Sequence, residues 1–277
     1  MGNVIMHPEF ERLCKKCQGA VKQLSMLICE YDEMVFQHGP LLEAKYVEAF
    51  GALDMAVYEA YVKIAYLKRK IDLTQACLNR NEQPDLMKIE NTLQAEFESY
   101  QEELQRLARK MTWAKALLEC KSLSMEETKR LKELYRELAR GLHPDLNQNQ
   151  TDEVQGLWNR VQKAYKEGDL SLMESLYEIF QAMKDKGADS QAFAEDAFEA
   201  ATKRYKKIKE QVDGYLAKIA GLEKEFPFKF ADMLADEKQV KKHMEELKSQ
   251  ARGYEEQIKQ LQGYLDLLLT PATDVMH

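Results

Sequence analysis

Apolar positions recur along almost the whole chain at steps of three and four, the period of one buried helix face. Leu13, Cys17, Val21, Leu24, Ile28, Tyr31 and Val35 form the first stripe. Pro8 suits the first turn of this helix, Glu9 and Glu11 complement the positive end of its dipole, and Gly39-Pro40 reads as its end. A second stripe, Tyr46, Phe50, Leu53, Val57, Ala60, Ile64, Leu67, Ile71, Thr74 and Leu78, keeps the alternating spacing of a heptad seam. The polar stretch Asn79 to Pro84 is a short connection. Ile89, Leu93, Phe97, Tyr100, Leu104, Leu107, Met111, Ala114 and Leu118 then resume the seam as one helix. So short a connection predicts an antiparallel hairpin, with the first helix alongside as the third member of a bundle.

The pattern changes in the centre. Ser124 with Glu127 three positions later predicts a capping box. The helix it opens carries Leu131, Leu134, Tyr135, Leu138 and Leu142 on one face, and Lys132, Arg136 and Arg140 as a basic row on another. Gly141 loosens its last turn, and Pro144 cannot continue it. Residues 146–156 read as a polar loop. A helix with Trp158, Val161, Ala164 and Tyr165 on its inner face follows. Gly168-Asp169 interrupts, another helix carries Leu172, Leu176, Ile179 and Phe180, and Lys186 to Asp189 reads as a hinge.

The last third returns to heptads. One run extends from Phe198 through Tyr205, Ile208, Val212, Tyr215 and Ile219 to Phe226, and a second from Val240 through Leu247, Ile258 and Leu265 to Leu268. Pro227 between them predicts an antiparallel coiled-coil hairpin with an aromatic tip at 226–230, a candidate patch for a client protein. Thr270-Pro271 ends the last helix. The fold class is therefore all-α. Three stretches are expected: an N-terminal helical bundle over 1–112, a helical module over 113–186 and a C-terminal hairpin over 187–277.

Composition narrows the function. The 277 residues are 31% charged and 45% hydrophobic, with only 12 Gly and 6 Pro, a helix-favouring mix. A net charge of −7 argues against a general nucleic-acid binder. No apolar run approaches the ~20 residues of a membrane span, and the first ten residues lack a secretory signal. Met6 stands where a myristoylation motif on Gly2 wants Ser or Thr. Five cysteines scattered over helices fit a reducing compartment, so a cytoplasmic protein is expected.

Catalytic patterns are missing from the sequence: it has no Gly-rich phosphate loop, no HExxH and no nucleophile elbow. Neither enzyme activity nor a cofactor is expected. Cys14-x-x-Cys17, with His7 and Cys29, offers zinc-type ligands. That pair sits inside a continuous apolar stripe, where small buried thiols are common, so no metal is expected.

The helix with its Tyr-basic-x-Leu-Ala core (Tyr135 to Ala139), the His143-Pro144-Asp145 loop and the Trp158-x-x-Val-x-x-Ala-Tyr165 helix together resemble the J-domain of DnaJ-type co-chaperones. The likeness covers roughly 113–170, with a first helix in Trp113 to Cys120. It implies docking on an ATP-bound DnaK-type chaperone and stimulation of its ATPase. His143, Pro144 and Asp145 would be the triggering residues, Lys132, Arg136 and Arg140 the basic docking face, and Tyr135 a contact aromatic. Glu137 stands where the family often has a second basic residue, and Leu146 where Lys or Arg is usual. Residues 121–145 carry six basic side chains against five acidic ones, which makes the patch weakly basic. No Gly/Phe-rich, zinc-repeat or β-rich substrate segment accompanies it. The expectation is a J-domain co-chaperone whose helical arms bind or position a client, or pair two chains. The alternative is a coiled-coil scaffold or adaptor with a degenerate J-like module.

Overall fold

The computed structural model describes residues 8–120, 123–147, 150–185 and 197–270, and within them the chain is helical with no strand. Helix α1 (Pro8–Glu33) passes into a π-helical turn (Met34–His38) and directly into α2 (Gly39–Leu78). Helix α3 (Leu86–Glu96) and α4 (Glu98–Glu119) follow, then α5 (Met125–Leu142), α6 (Asp152–Glu167), α7 (Leu170–Asp185), α8 (Ala197–Leu222), the short α9 (Ala231–Ala235) and α10 (Glu237–Leu269). No helix is long and apolar enough to cross a membrane among the described residues.

The chain divides into two compact units, each assembled from separate stretches: 1–40 with 121–229, and 41–120 with 230–277. These differ from the three consecutive stretches expected, because the pairing of the long helices is not sequential.

In the first unit α1 pairs with α8. Phe10 meets Phe198, Cys17 meets Ala201 and Tyr31 meets Tyr215, so the two helices run parallel. Ala20, Leu24, Leu27 and Ile28 of α1 interleave with Ile208, Val212, Tyr215 and Ile219 of α8. Helices α5, α6 and α7 surround a second core of Leu131, Leu134, Tyr135, Leu138, Trp158, Val161, Tyr165, Met173 and Leu176, to which α1 contributes the buried Cys29. His143 lies near Trp158 and Tyr135 near Tyr165, which makes α5 and α6 antiparallel. Gly168 ends α6 in the left-handed conformation (φ 67°), where glycine costs nothing. The stretch 186–189 lies outside the described residues.

In the second unit α2 receives α3 and α4 on one side, through Arg69–Glu96, Lys70–Glu90 and Lys110–Glu43 ion pairs. These pairings descend along one partner as they ascend along the other, so this hairpin is antiparallel as expected. The third helix against α2 is α10 and not α1. Ile64, Leu67 and Ile71 pack on Ile258 and Leu265, while Phe50 meets His243 and Tyr264 donates to Gln75, a parallel pairing. The expected C-terminal hairpin is therefore not the arrangement found: α8 pairs with α1, and α10 with α2.

Three local expectations also change. Gly39-Pro40 does not end a helix. The π-helical turn puts the Gly39 amide on Met34 O, and this one-residue widening admits a proline without a break. A Cβ on Gly39 would lie 2.9 Å from Met34 O and 3.5 Å from the Phe228 ring, so the position is closed to larger residues. The expected third helix is split at Phe97 (φ −105°, ψ 6°), whose ring packs on Tyr66 and Tyr100. The aromatic tip is displayed only in part: Phe226 is 39% exposed, whereas Phe228 covers Gly39 and Phe230 lies 4.7 Å from the Tyr46 ring.

Candidate functional site

Helix α5 is built as its sequence implies. Ser124 accepts from the Glu127 amide (3.1 Å) and Glu127 accepts from the Ser124 amide (2.8 Å), closing the capping box. The apolar face is fully used, with Leu131, Leu134, Tyr135, Leu138, Ala139 and Leu142 all buried. The helix stops at His143, whose ψ of 130° is the extended geometry a following proline demands.

The loop then satisfies the last carbonyls of α5. Leu146 and Asn147 amides donate to His143 O (3.0 and 2.9 Å), the Asn147 side chain donates to Arg140 O (3.1 Å), and Gln150 donates to Leu142 O. Unmet carbonyls at a helix end are costly, so this capping fixes where the His-Pro-Asp triplet sits.

Each predicted site residue can now be placed. His143 is 7% exposed, its ring edge-on to Trp158 at 5.2 Å, and its Nδ1 accepts from the Asp145 amide at 3.0 Å. Burial lowers its pKa, so the ring is neutral at pH 7. Pro144 is exposed. The Asp145 carboxylate accepts from Tyr215 Oη (3.0 Å), and its carbonyl accepts from Gln211 (3.4 Å), both on α8. Tyr135 is buried, stacked on Tyr165 at 3.9 Å, and donates to the Asp32 carboxylate of α1 at 2.6 Å. Lys132 pairs with Glu33 of α1 at 2.5 Å. Arg136 and Arg140 are exposed and line a cleft of about 520 Å³ whose far wall carries Glu30, Glu33 and His38.

The seven residues are thus brought to one side of α5 and its loop, but only Pro144, Arg136 and Arg140 face outward freely. The helix read as the first of the module, Trp113 to Cys120, is the end of α4 and belongs to the other unit, where Trp113 is 40% exposed. The end of α1 packs on α5 instead.

Sequence reasoning missed Asp32, Glu33, Gln211 and Tyr215. Asp32 was detectable: it follows Leu24 and Ile28 at steps of four and so falls on the apolar stripe, where a carboxylate needs a partner. Burial raises its pKa to about 6, against the Tyr135 hydrogen bond and the Lys218 charge, which lower it. The neighbouring Cys29 thiol is pushed up to about 11, first by burial and then by the Asp32 charge.

The two departures from the J-domain pattern have local uses. Glu137 accepts from Tyr177 Oη of α7 at 2.5 Å. Leu146 is half-buried against the α1–α8 core, beside a cleft that already carries Lys203, Arg204 and Lys207.

Cys14 and Cys17 are half-buried on α1, and Cys17 Sγ lies 3.6 Å from Ala201 O. His7 lies outside the described residues. Among the described residues no group of three or more His, Cys, Asp or Glu side chains is placed to share a metal ion.

No family model matches the chain, no curated protein matches it in sequence, and no solved structure matches its fold.

Proposed function

We propose that the chain is a co-chaperone that docks on a DnaK-type chaperone through the His143-Pro144-Asp145 loop and stimulates its ATPase, without chemistry of its own. One observation carries this reading. An amphipathic helix with an outward Arg136/Arg140 pair runs antiparallel to a second helix, and the proline-held triplet sits at the turn between them. A triplet fixed in this way presents Pro144 at low entropic cost, and the arginines steer an acidic partner. In this reading Lys132 and Tyr135 complete the docking face, and the coiled-coil arms position or select a client.

The test is single-turnover ATP hydrolysis by a purified DnaK-type chaperone with the full chain added. Stimulation is expected, and His143→Gln is expected to abolish it while leaving the helical content intact. Absence of stimulation, or stimulation that His143→Gln leaves unchanged, refutes the reading.

A specific observation favours a second reading, a scaffold with a degenerate J-like module. Tyr135, Lys132 and Asp145 already spend their polar atoms on α1 and α8.

A further inference from the structure

Helix α1 holds its two neighbours very differently. Against α8 it presents four buried apolar residues in a continuous seam. Against the α5–α7 core it contributes one buried apolar residue, Cys29, followed by the half-buried Phe36 of the π-helical turn, together with two carboxylates, the buried Asp32 on Tyr135 and Glu33 on Lys132. Helix α8 reaches the same module through hydrogen bonds, Tyr215 and Gln211 on Asp145, and through Leu146 packed on the seam. Strong apolar packing within α1–α8 and thin, mainly polar contact across to α5 make the helix pair one body that can leave the module intact.

The identity of the covered atoms matters more than their number. An acidic pair on α1 lies on the first basic residue of the docking row and on its aromatic. A tyrosine on α8 holds the carboxylate of the triplet. Arg136 and Arg140 remain open beside them, on a cleft of about 520 Å³.

We propose that the α1–α8 pair is a built-in competitor of the partner: Asp32, Glu33 and Tyr215 occupy in cis the surface that an acidic chaperone face takes in trans. This rests on the docking reading. The partner first meets the open Arg136/Arg140 pair, and full engagement requires its acidic groups to replace Glu33 on Lys132 and Asp32 on Tyr135, while Asp145 exchanges Tyr215 for a partner group. The two arrangements are mutually exclusive because Tyr135 Oη and Lys132 Nζ face α1 directly. The device therefore sets the fraction of molecules competent to dock, and apparent affinity scales with that fraction.

The experiment uses the full chain carrying Glu33→Gln and Tyr215→Phe, singly and together, against a DnaK-type chaperone and ATP. A lost intramolecular contact of this kind shifts a closed–open equilibrium by about fivefold. The chaperone concentration giving half-maximal stimulation is expected to fall by about that factor for each substitution, with the maximal rate unchanged. In parallel, amide hydrogen exchange at residues 143–147 is expected to quicken in the variants while the apolar core of α5 and α6 stays protected. Stimulation by parent and variants at the same half-maximal concentration refutes the competitor and leaves the docking reading standing. Unchanged exchange at 143–147 refutes it even where no chaperone responds. Loss of stimulation in all chains with faster exchange in the variants sinks the docking reading alone, since the covering contacts would then be real and the partner wrong.

Discussion

Gly141 has a sharp and testable role. It lies in the last turn of α5, where glycine ordinarily costs a helix about 0.5–1 kcal/mol relative to alanine. On propensity alone, Gly141→Ala stabilises. The structure reverses the sign. A Cβ at Gly141 would lie 2.1 Å from Phe180 Cζ and 2.4 Å from Cε2. Relaxed carbon contacts sit near 3.5–4.0 Å, so the ring of α7 must swing away from α5. Phe180 is half-buried against the α5–α7 core, and losing much of that contact costs about 2–3 kcal/mol. The net expectation is a loss of about 1–2 kcal/mol.

The control is the same substitution with the ring removed. In a Phe180→Ala background Gly141→Ala should recover its helix benefit and stabilise by about 0.5–1 kcal/mol, giving a coupling of about 2–3 kcal/mol between the two positions. Urea unfolding followed by tryptophan fluorescence reads this cleanly. The chain has two tryptophans, and Trp158 is 3% exposed inside the affected unit. A Trp113→Phe background therefore reports that unit alone. A Gly141→Ala chain more stable than its parent, or equally destabilised with and without Phe180, refutes the steric argument.

Asp32 sets a pH dependence. Its pKa is raised from 3.8 to about 6 by burial, so between those values the folded chain binds more protons than the unfolded one and stability falls as pH rises, by up to about 3 kcal/mol. Asp32→Asn should remove this slope and leave the unit more stable at pH 7. A slope unchanged in urea titrations from pH 4 to 7 refutes this. His143 acts in the opposite sense, since its lowered pKa costs stability as pH falls below its ordinary value of 6.5, so the comparison must be made between parent and variant at each pH. Ser124→Ala should lower the stability of the same unit by about 1 kcal/mol, through loss of the Oγ acceptor for the Glu127 amide, while the backbone amide of residue 124 still donates to Glu127. A midpoint unchanged in urea would show that α5 is held by its packing alone.

The features legible in the sequence were local ones. The capping box at Ser124, the buried face of α5, the stop at Pro144 and the interruption at Gly168-Asp169 are each written in a few adjacent residues, and each is found. Partner choice was not legible. The seams of α1, α2, α8 and α10 are interchangeable apolar stripes with the same three-four spacing, so sequence adjacency suggested the pairs. The structure instead pairs α1 with α8 and α2 with α10, in parallel. Parallel pairs need partners far apart in sequence, and heptad spacing carries no information about such distances. Gly39-Pro40 failed for another reason: a π-helical turn absorbs a proline that an α-helix rejects, and it has no composition signature of its own. The candidate site fell between these cases. His143, Arg136 and Arg140 could be read directly. Asp32 and Tyr215 became visible only once non-adjacent helices had met.

The polar contacts that cover the proposed docking face add little net stability at neutral pH. At neutral pH the Lys132–Glu33 contact contributes about 1 kcal/mol, and keeping Asp32 ionised under cover costs about 3 kcal/mol net of the hydrogen bond from Tyr135. The cost exceeds the gain, so closure at the α1–α5 contact rests on the apolar burial of Cys29 and of Phe36 in the π-helical turn. The α1–α8 seam carries no such penalty, because its interior is apolar. A fold that needed α1 on α5 for stability alone would gain by replacing the Asp32–Tyr135 pair with two apolar side chains of similar size, since buried polar pairs are commonly no better than packed hydrocarbon. A carboxylate at that position makes the contact weak and reversible, and directs it at the tyrosine and lysine of the proposed docking row.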